Sequence, residues 1–181
     1  GGDFRQGDLE ALPFDDNAFD LVTGFNAFQF ASDPVKALRE AGRVTRPGGM
    51  VVVTTWGNPA GMDAASLIAA MKPMLPPAPT GAPGPFALSE ETALRAFAVA
   101  GGLTPVTVFD VDSPWFYRDE ATALRGFGAA GGATLARERV GEAAFNAAIS
   151  AALAPFRQPD GSFRLGARSR CLVTTTDRRE T

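Results

Sequence analysis

Gly7-Asp8-Leu9-Glu10-Ala11-Leu12-Pro13-Phe14-Asp15-Asp16-Asn17-Ala18-Phe19-Asp20-Leu21-Val22 is the stretch on which the reading of the fold turns. Just before and into it, residues 3–9 (DFRQGDL) read as a short strand that closes on the Gly7-Asp8 pair. Pro13 to Asn17 gathers residues that favour turns. The chain then enters Phe19-Asp20-Leu21-Val22-Thr23-Gly24-Phe25, which reads as a largely buried strand.

Downstream, Ser32-Asp33-Pro34 predicts a helix start, with a capping side chain ahead of a proline whose missing N–H costs nothing in the first turn. Val35, Leu38, Ala41 and Val44 supply its apolar stripe, and Pro47-Gly48-Gly49 should stop it. Met50-Val51-Val52-Val53-Thr54-Thr55-Trp56 is a β-branched run with the composition of a strand buried on both faces. Strand, helix and strand in about forty residues make a βαβ unit, whose crossover is right-handed and whose strands are parallel.

Beyond Gly57 the pattern loosens into one helical stretch (Asp63 to Met71) and the run Pro76-Pro77-Ala78-Pro79-Thr80-Gly81-Ala82-Pro83-Gly84-Pro85, which reads as a loop or lid. Ser89-Glu90-Glu91 predicts a capped helix start, with Leu94 and Phe97 on one face and an end at Gly101-Gly102. Thr104 to Val111 is the next strand, and Pro105 near its start marks it as an edge. Asp119 to Gly132 and Arg137 to Phe156 read as two helices, the second presenting Phe145, Ile149, Ala152 and Phe156. Phe163 to Thr176 is the last strand, after a turn at Pro159-Asp160-Gly161.

With these residues quoted, the chain resembles a class I S-adenosylmethionine-dependent methyltransferase of the small-molecule branch that includes ubiquinone and menaquinone biosynthesis enzymes. The "GD…LPF…FD-V" string at 7–22 carries the likeness. It continues through Ala37-Leu38-Arg39-Glu40 and Arg43-Val44 to Arg46-Pro47-Gly48-Gly49, and it covers roughly residues 3 to 56. It implies a Rossmann-like three-layer α/β/α sandwich with a mostly parallel sheet in the order 3-2-1-4-5-7-6. On that plan this chain holds one partial domain, incomplete at the N-terminus because strands one and two are absent. Residues 1–56 would be the cofactor-side core, 57–88 the lid or insert, and 89–181 the substrate-side half and C-terminal strands. The strand at 3–8 would be orphaned and the edge at 19–25 exposed.

The resemblance names S-adenosyl-L-methionine as cofactor and a small-molecule methyl acceptor as partner. It implies that Asp8 accepts from the adenine amino group while the Leu9 backbone faces the ring, and that Gly24, Phe25 and Asn26 approach the methionine end. Each position has a plainer reading. Asp8 can cap a turn, and Asn26 can either orient a ligand through its amide or simply end a strand. Phe28, Phe30, Trp56, Trp115 and Tyr117 can wall a substrate pocket or fill a core. Asp15, Asp16 and Asp20 match no calcium loop, so no metal site is expected.

The composition fits a reaction whose reactivity resides in the cofactor. The 181 residues contain no His and one Cys, so no Ser–His–Asp triad, Cys–His pair, His-containing zinc site or intrachain disulfide can be built. No Gly-Lys-Ser/Thr sequence exists for a P-loop. A net charge of -3 without basic blocks argues against nucleic acid, and no apolar run approaches the ~18 residues of a bilayer span. A cytoplasmic protein is the expectation.

Two cofactor signatures of the family are missing. No glycine-rich turn follows a first strand, and no acidic residue follows a second. Weak or absent cofactor binding by these residues alone is therefore expected. Two other readings stand beside this one. A catalytically silent methyltransferase-like interaction module would explain the missing glycine turn. An NAD(P)-dependent oxidoreductase of the short-chain type would need Tyr-x-x-x-Lys, whereas Tyr117 is followed four residues on by Ala121.

Overall fold

The computed structural model describes residues 2–77 and 84–177. Six strands and six helices follow in the order β1 (Phe19–Phe25), α1 (Pro34–Val44), β2 (Thr45–Trp56), α2 (Ala65–Met71), α3 (Glu91–Ala100), β3 (Thr104–Asp112), β4 (Trp115–Tyr117), α4 (Glu120–Gly128), α5 (Gly131–Val140), α6 (Glu142–Leu153), β5 (Phe163–Leu165) and β6 (Arg168–Thr175). They fall into two compact units. One lies within residues 1–58, 83–111 and 169–181, the other within 59–82 and 112–168.

The first unit is a four-stranded sheet in the order β1-β2-β6-β3. That is the 4-5-7-6 end of the order implied by the resemblance. β1 and β2 are parallel and joined through α1, as the βαβ pattern requires, whereas β6 runs antiparallel to β2. β3, the strand with Pro105, occupies one edge of the sheet and β1 the other.

The register explains which face is filled. Val22, Val51, Val53 and Leu172 lie on one face, where Leu38 and Ala41 of α1 and Leu94, Phe97 and Ala98 of α3 cover them. Leu38, Val51, Val53, Leu94 and Leu172 are completely buried there. α1 begins as expected: Asp33 accepts the Lys36 N–H at 3.0 Å, and Pro34 occupies the first turn. Leu21, Thr23, Phe25 and Met50 alternate onto the opposite face and are exposed.

Several expectations are corrected. Residues 3–9 form no strand. No strand lies beside them among the described residues, Phe4 is exposed, and Asp8 to Ala11 is a turn closed by the Ala11 N–H on the Asp8 carbonyl at 3.1 Å. β1 is not largely buried, because an edge strand with one uncovered face leaves every other apolar side chain in water; of its seven residues only Gly24 is buried. β2 is likewise not buried on both faces throughout, since Met50 is exposed and Val52 half-buried.

The Pro47-Gly48-Gly49 stop lies inside β2 rather than at the end of α1. The pairing steps from Phe19↔Thr45 to Leu21↔Met50, so Arg46 to Gly49 bulge outward. Gly48 takes φ +74°, and a Cβ on Gly49 would stand 2.9 Å from the Asp20 carbonyl. Ser89 does not cap α3. It is buried, its carbonyl accepts from Arg170 at 2.6 Å, and the cap position falls to Glu90 without a side-chain bond.

The second unit contains α2, α4, α5, α6 and the antiparallel β4–β5 pair. Two helices were expected over 119–156 and three are found, because Gly141 at φ +83° breaks the second after Val140. The expected last strand is two strands. Gly166 and Ala167 interrupt it, β5 pairing with β4 and β6 with β2. The expected 63–71 helix starts at Ala65. Of the proline-rich run read as a lid, residues 78–83 lie outside the described residues.

Candidate active site

Ligands of open α/β sheets bind beyond the carboxyl ends of the parallel strands. Here that end is formed by Phe25-Asn26 after β1 and Thr55-Trp56 at the close of β2. Asn26 takes the left-handed conformation, φ +47°, and its N–H donates to the Thr54 carbonyl at 2.8 Å, turning the chain out of the sheet. A single 3₁₀ turn, Phe28–Phe30, follows. Gly24 makes that return possible, since a Cβ there would lie 2.2 Å from the Phe28 ring.

The predicted residues divide according to these elements. Asp8 sits on the exposed turn, where its Oδ1 accepts the Glu10 N–H at 2.9 Å. The turn-capping reading therefore holds, and the carboxylate still faces solvent with its second oxygen. Leu9 lines an apolar groove of about 270 Å³ along the outer edge of β1, together with Leu12, Phe14, Phe19, Leu21 and Phe28. Gly24 also borders this groove, and Phe25 is exposed on the opposite face of β1. Phe28 is buried in the helix-covered core, Phe30 is 64% exposed, and Trp56 is half-buried.

Trp115 and Tyr117 belong to the second unit, on β4. The Trp115 ring lies 6.2 Å from Phe127, which stacks on Phe145 at 6.4 Å, so Trp115 contributes to that unit's aromatic core. Tyr117 packs against Gly126, and burial pushes its hydroxyl above the ordinary tyrosine range, away from a role as base at neutral pH.

The loop that carries Leu9 to Phe14 is pinned to α1. Glu40 Oε2 accepts the Leu12 N–H at 2.9 Å, and Glu10 Oε1 accepts the Asp33 N–H at 2.8 Å. Arg43 donates to the Leu12 carbonyl at 3.1 Å, the Phe14 carbonyl at 2.9 Å and Asp16 Oδ1 at 2.7 Å, while its Nε holds Glu40 at 2.8 Å. The hydrogen bond from Arg43 is the main reason that the Glu40 carboxyl is held below its ordinary range. The Leu12 N–H and the Arg43 and Lys36 charges act the same way, and partial burial opposes them. Asp16 and Asp20 are thus committed to ion pairs, the latter with Arg46. No cluster of metal-ligating side chains occurs among the described residues.

Sequence reasoning missed Gln29, which donates from Nε2 to Asn26 Oδ1 at 3.2 Å while its own Oε1 is buried without a partner among the described residues. The signal was a lone amide between Phe28 and Phe30. It also missed Thr55, fully buried, whose hydroxyl is likewise unpartnered among the described residues.

Residues 2–53 match the family model of a methyltransferase domain. The chain is 49% identical over 57 residues to a demethylmenaquinone methyltransferase of Renibacterium salmoninarum, covering 32% of this chain and 24% of that protein. It is 39% identical over 105 residues to a malonyl-[acyl-carrier protein] O-methyltransferase of Erwinia billingiae, covering 58% and 38% respectively. Among solved structures, a Bacillus halodurans protein assigned as a methyltransferase superposes with a TM-score of 0.57 at 14% identity, over 96% of this chain and 77% of that one. The YcgJ protein of Bacillus subtilis gives 0.54 at 20% identity, over 96% and 70%.

The fold is therefore the Rossmann-like α/β fold of class I methyltransferases. By sequence, residues 2–53 are similar to a methyltransferase domain, and the fold is one shared with solved methyltransferase structures. It spans between about a quarter and two fifths of the length of the two curated relatives. No helix among the described residues is long and apolar enough to cross a membrane.

Proposed function

We propose that the protein transfers a methyl group from S-adenosyl-L-methionine to a small organic molecule with an apolar face. The observation that carries this reading is the placement of the family's own residues. Asp8 offers a free carboxylate oxygen beside the apolar groove that Leu9 lines, an arrangement suited to an adenine with its amino donor and flat apolar ring. Gly24, Phe25 and Asn26, at the carboxyl end of β1, would face the methionine end.

When bound, the cofactor supplies the electrophilic methyl carbon, so this chain needs no nucleophile of its own. Its tasks are alignment and exclusion of water. The left-handed turn at Asn26 and the Phe28 ring on Gly24 fix the mouth of the sheet for that purpose. Phe30 and Trp56, in the first unit, would border the acceptor.

The named activities of the relatives, on a demethylmenaquinone and on a malonyl carrier conjugate, support an acceptor that is small at the reacting end. The net charge of -3 disfavours nucleic acid, and the single Cys accords with a cytoplasmic setting. The 181 residues contain no glycine-rich turn after a strand, so by themselves they would hold only part of the cofactor and bind it weakly.

The test is transfer of labelled methyl from S-adenosyl-L-methionine by the gene product carrying these residues, assayed on quinol and carboxylic-acid acceptors. Transfer with a cofactor KM raised about tenfold by Asp8→Ala supports the reading, tenfold being the loss of one hydrogen bond to a charged group. No transfer to any acceptor overturns it.

A further inference from the structure

Asn26 is held by three constraints. Its backbone is left-handed, its N–H is spent on Thr54, and its side-chain Oδ1 accepts from Gln29 Nε2. Only its Nδ2 remains, a group with two donor hydrogens and no protein partner among the described residues.

The opposite setting of the two amides is disfavoured. Turning both over would make Asn26 donate to Gln29 Oε1 and leave the Gln29 NH2 in the position where Oε1 is now buried without a partner among the described residues. A buried carbonyl oxygen left unpaired is tolerated more readily than a buried NH2 with two unmet donors. The 3₁₀ turn fixes the geometry: the Phe30 N–H bonds to the Ala27 carbonyl and the Ala31 N–H to the Phe28 carbonyl, both at 3.1 Å, while Phe28 is locked over Gly24.

We infer that Gln29 is a positioning residue that sets the polarity of Asn26, so that the turn after β1 presents a hydrogen-bond donor and selects a ligand oxygen that can only accept, a carboxylate or carbonyl. This rests on the reading that the turn faces the ligands of methyl transfer. Such an oxygen could come from the amino-acid end of the cofactor or from the methyl acceptor, and the chemistry recognised is the same.

The experiment follows the Asn26 side-chain NH2 resonance of the ¹⁵N-labelled 181-residue chain. Titration with S-adenosylhomocysteine and 5′-methylthioadenosine, which lacks the amino-acid end, reports the cofactor source. Benzoate against benzylamine reports an acceptor source. The expected result is that at least one of the two carboxylates moves the resonance and benzylamine does not.

Gln29→Glu should reverse the polarity, because a carboxylate cannot donate to Asn26 Oδ1 and instead accepts from Nδ2, turning Oδ1 outward. Carboxylate affinity then falls about tenfold or more and benzylamine begins to shift Asn26 signals. Asn26→Ala, a second variant followed through the backbone amide at position 26, should lose discrimination between acid and amine. Gln29→Asn, which keeps an amide one methylene shorter, should retain part of it.

An Asn26 resonance that responds to benzylamine in the wild type, to no probe, or identically in Gln29→Glu overturns the inference. If S-adenosylhomocysteine perturbs nothing while benzoate still moves Asn26, the oxygen recognised is the acceptor's and this inference survives, whereas the methyltransferase reading stands or falls on the methyl-transfer assay. If S-adenosylhomocysteine binds and Asn26 stays silent to every probe, only this one fails.

Discussion

Arg43 and Asp16, twenty-seven residues apart, meet at 2.7 Å on the flank of α1, and the same guanidinium caps the carbonyls of Leu12 and Phe14. One arginine thus fastens the loop that borders the groove to the helix that covers the sheet. Replacing it by methionine keeps the aliphatic stem and removes five donors. The expected outcome is intact helix α1 with amide exchange at Leu12 faster by about tenfold or more, read by hydrogen exchange.

Glu40 makes this fastening sensitive to acid. Its carboxyl is held below the ordinary value by Arg43 first and by the Leu12 N–H, so the folded state binds its proton less readily than the unfolded chain. The stability it contributes is complete above the unfolded value, near pH ~4.5, and disappears as pH falls through the lower folded value. Melting curves between about pH 6 and pH 3 should show this acid-dependent loss, and Glu40→Gln should remove that part of it.

Gly24→Ala tests the close approach at the mouth of the sheet. The added methyl would meet the Phe28 ring at 2.2 Å, closer than any real contact, and the buried ring has to move. A destabilisation of about 1–3 kcal/mol by urea unfolding is expected, with altered signals for Gln29 and Asn26.

Leu38→Ala addresses the core beneath the site. Leu38 is completely buried between the sheet and α3, and its side chain packs where a Cβ on Gly101 would stand 2.7 Å away. The expected loss is about 2–5 kcal/mol, measured in the same way.

The legible parts of this fold are those in which local chemistry and long-range packing agree. Asp33-Pro34 starts α1 because cap and ring both favour it, and Pro105 marks β3 as an edge because a missing donor is harmless there. The sequence misled where burial depends on neighbours. Phe19, Leu21 and Phe25 have the composition of a buried strand, yet the edge position leaves them exposed. Phe4 belongs to a short mixed run with no strand beside it among the described residues. Residues 163–176 alternate as one strand, and only the separate pairing partners of β5 and β6 reveal the break at Gly166-Ala167.

At the site, Asp8 and Asn26 were visible as types at strand ends. Their neighbours decide their chemistry. Gln29 Nε2 settles which end of the Asn26 amide is available, and the Glu10 N–H takes one of the two Asp8 oxygens. Such assignments depend on side chains meeting through a turn, which periodicity does not encode.

The most direct test of the methyltransferase reading is a map of backbone amide shifts in the 181-residue chain titrated with S-adenosylhomocysteine. The expected result is weak binding, with shifts concentrated at Asp8, Leu9 and Gly24 to Asn26. Shifts confined to residues 112–168, or none at those five positions at saturating ligand, would contradict it.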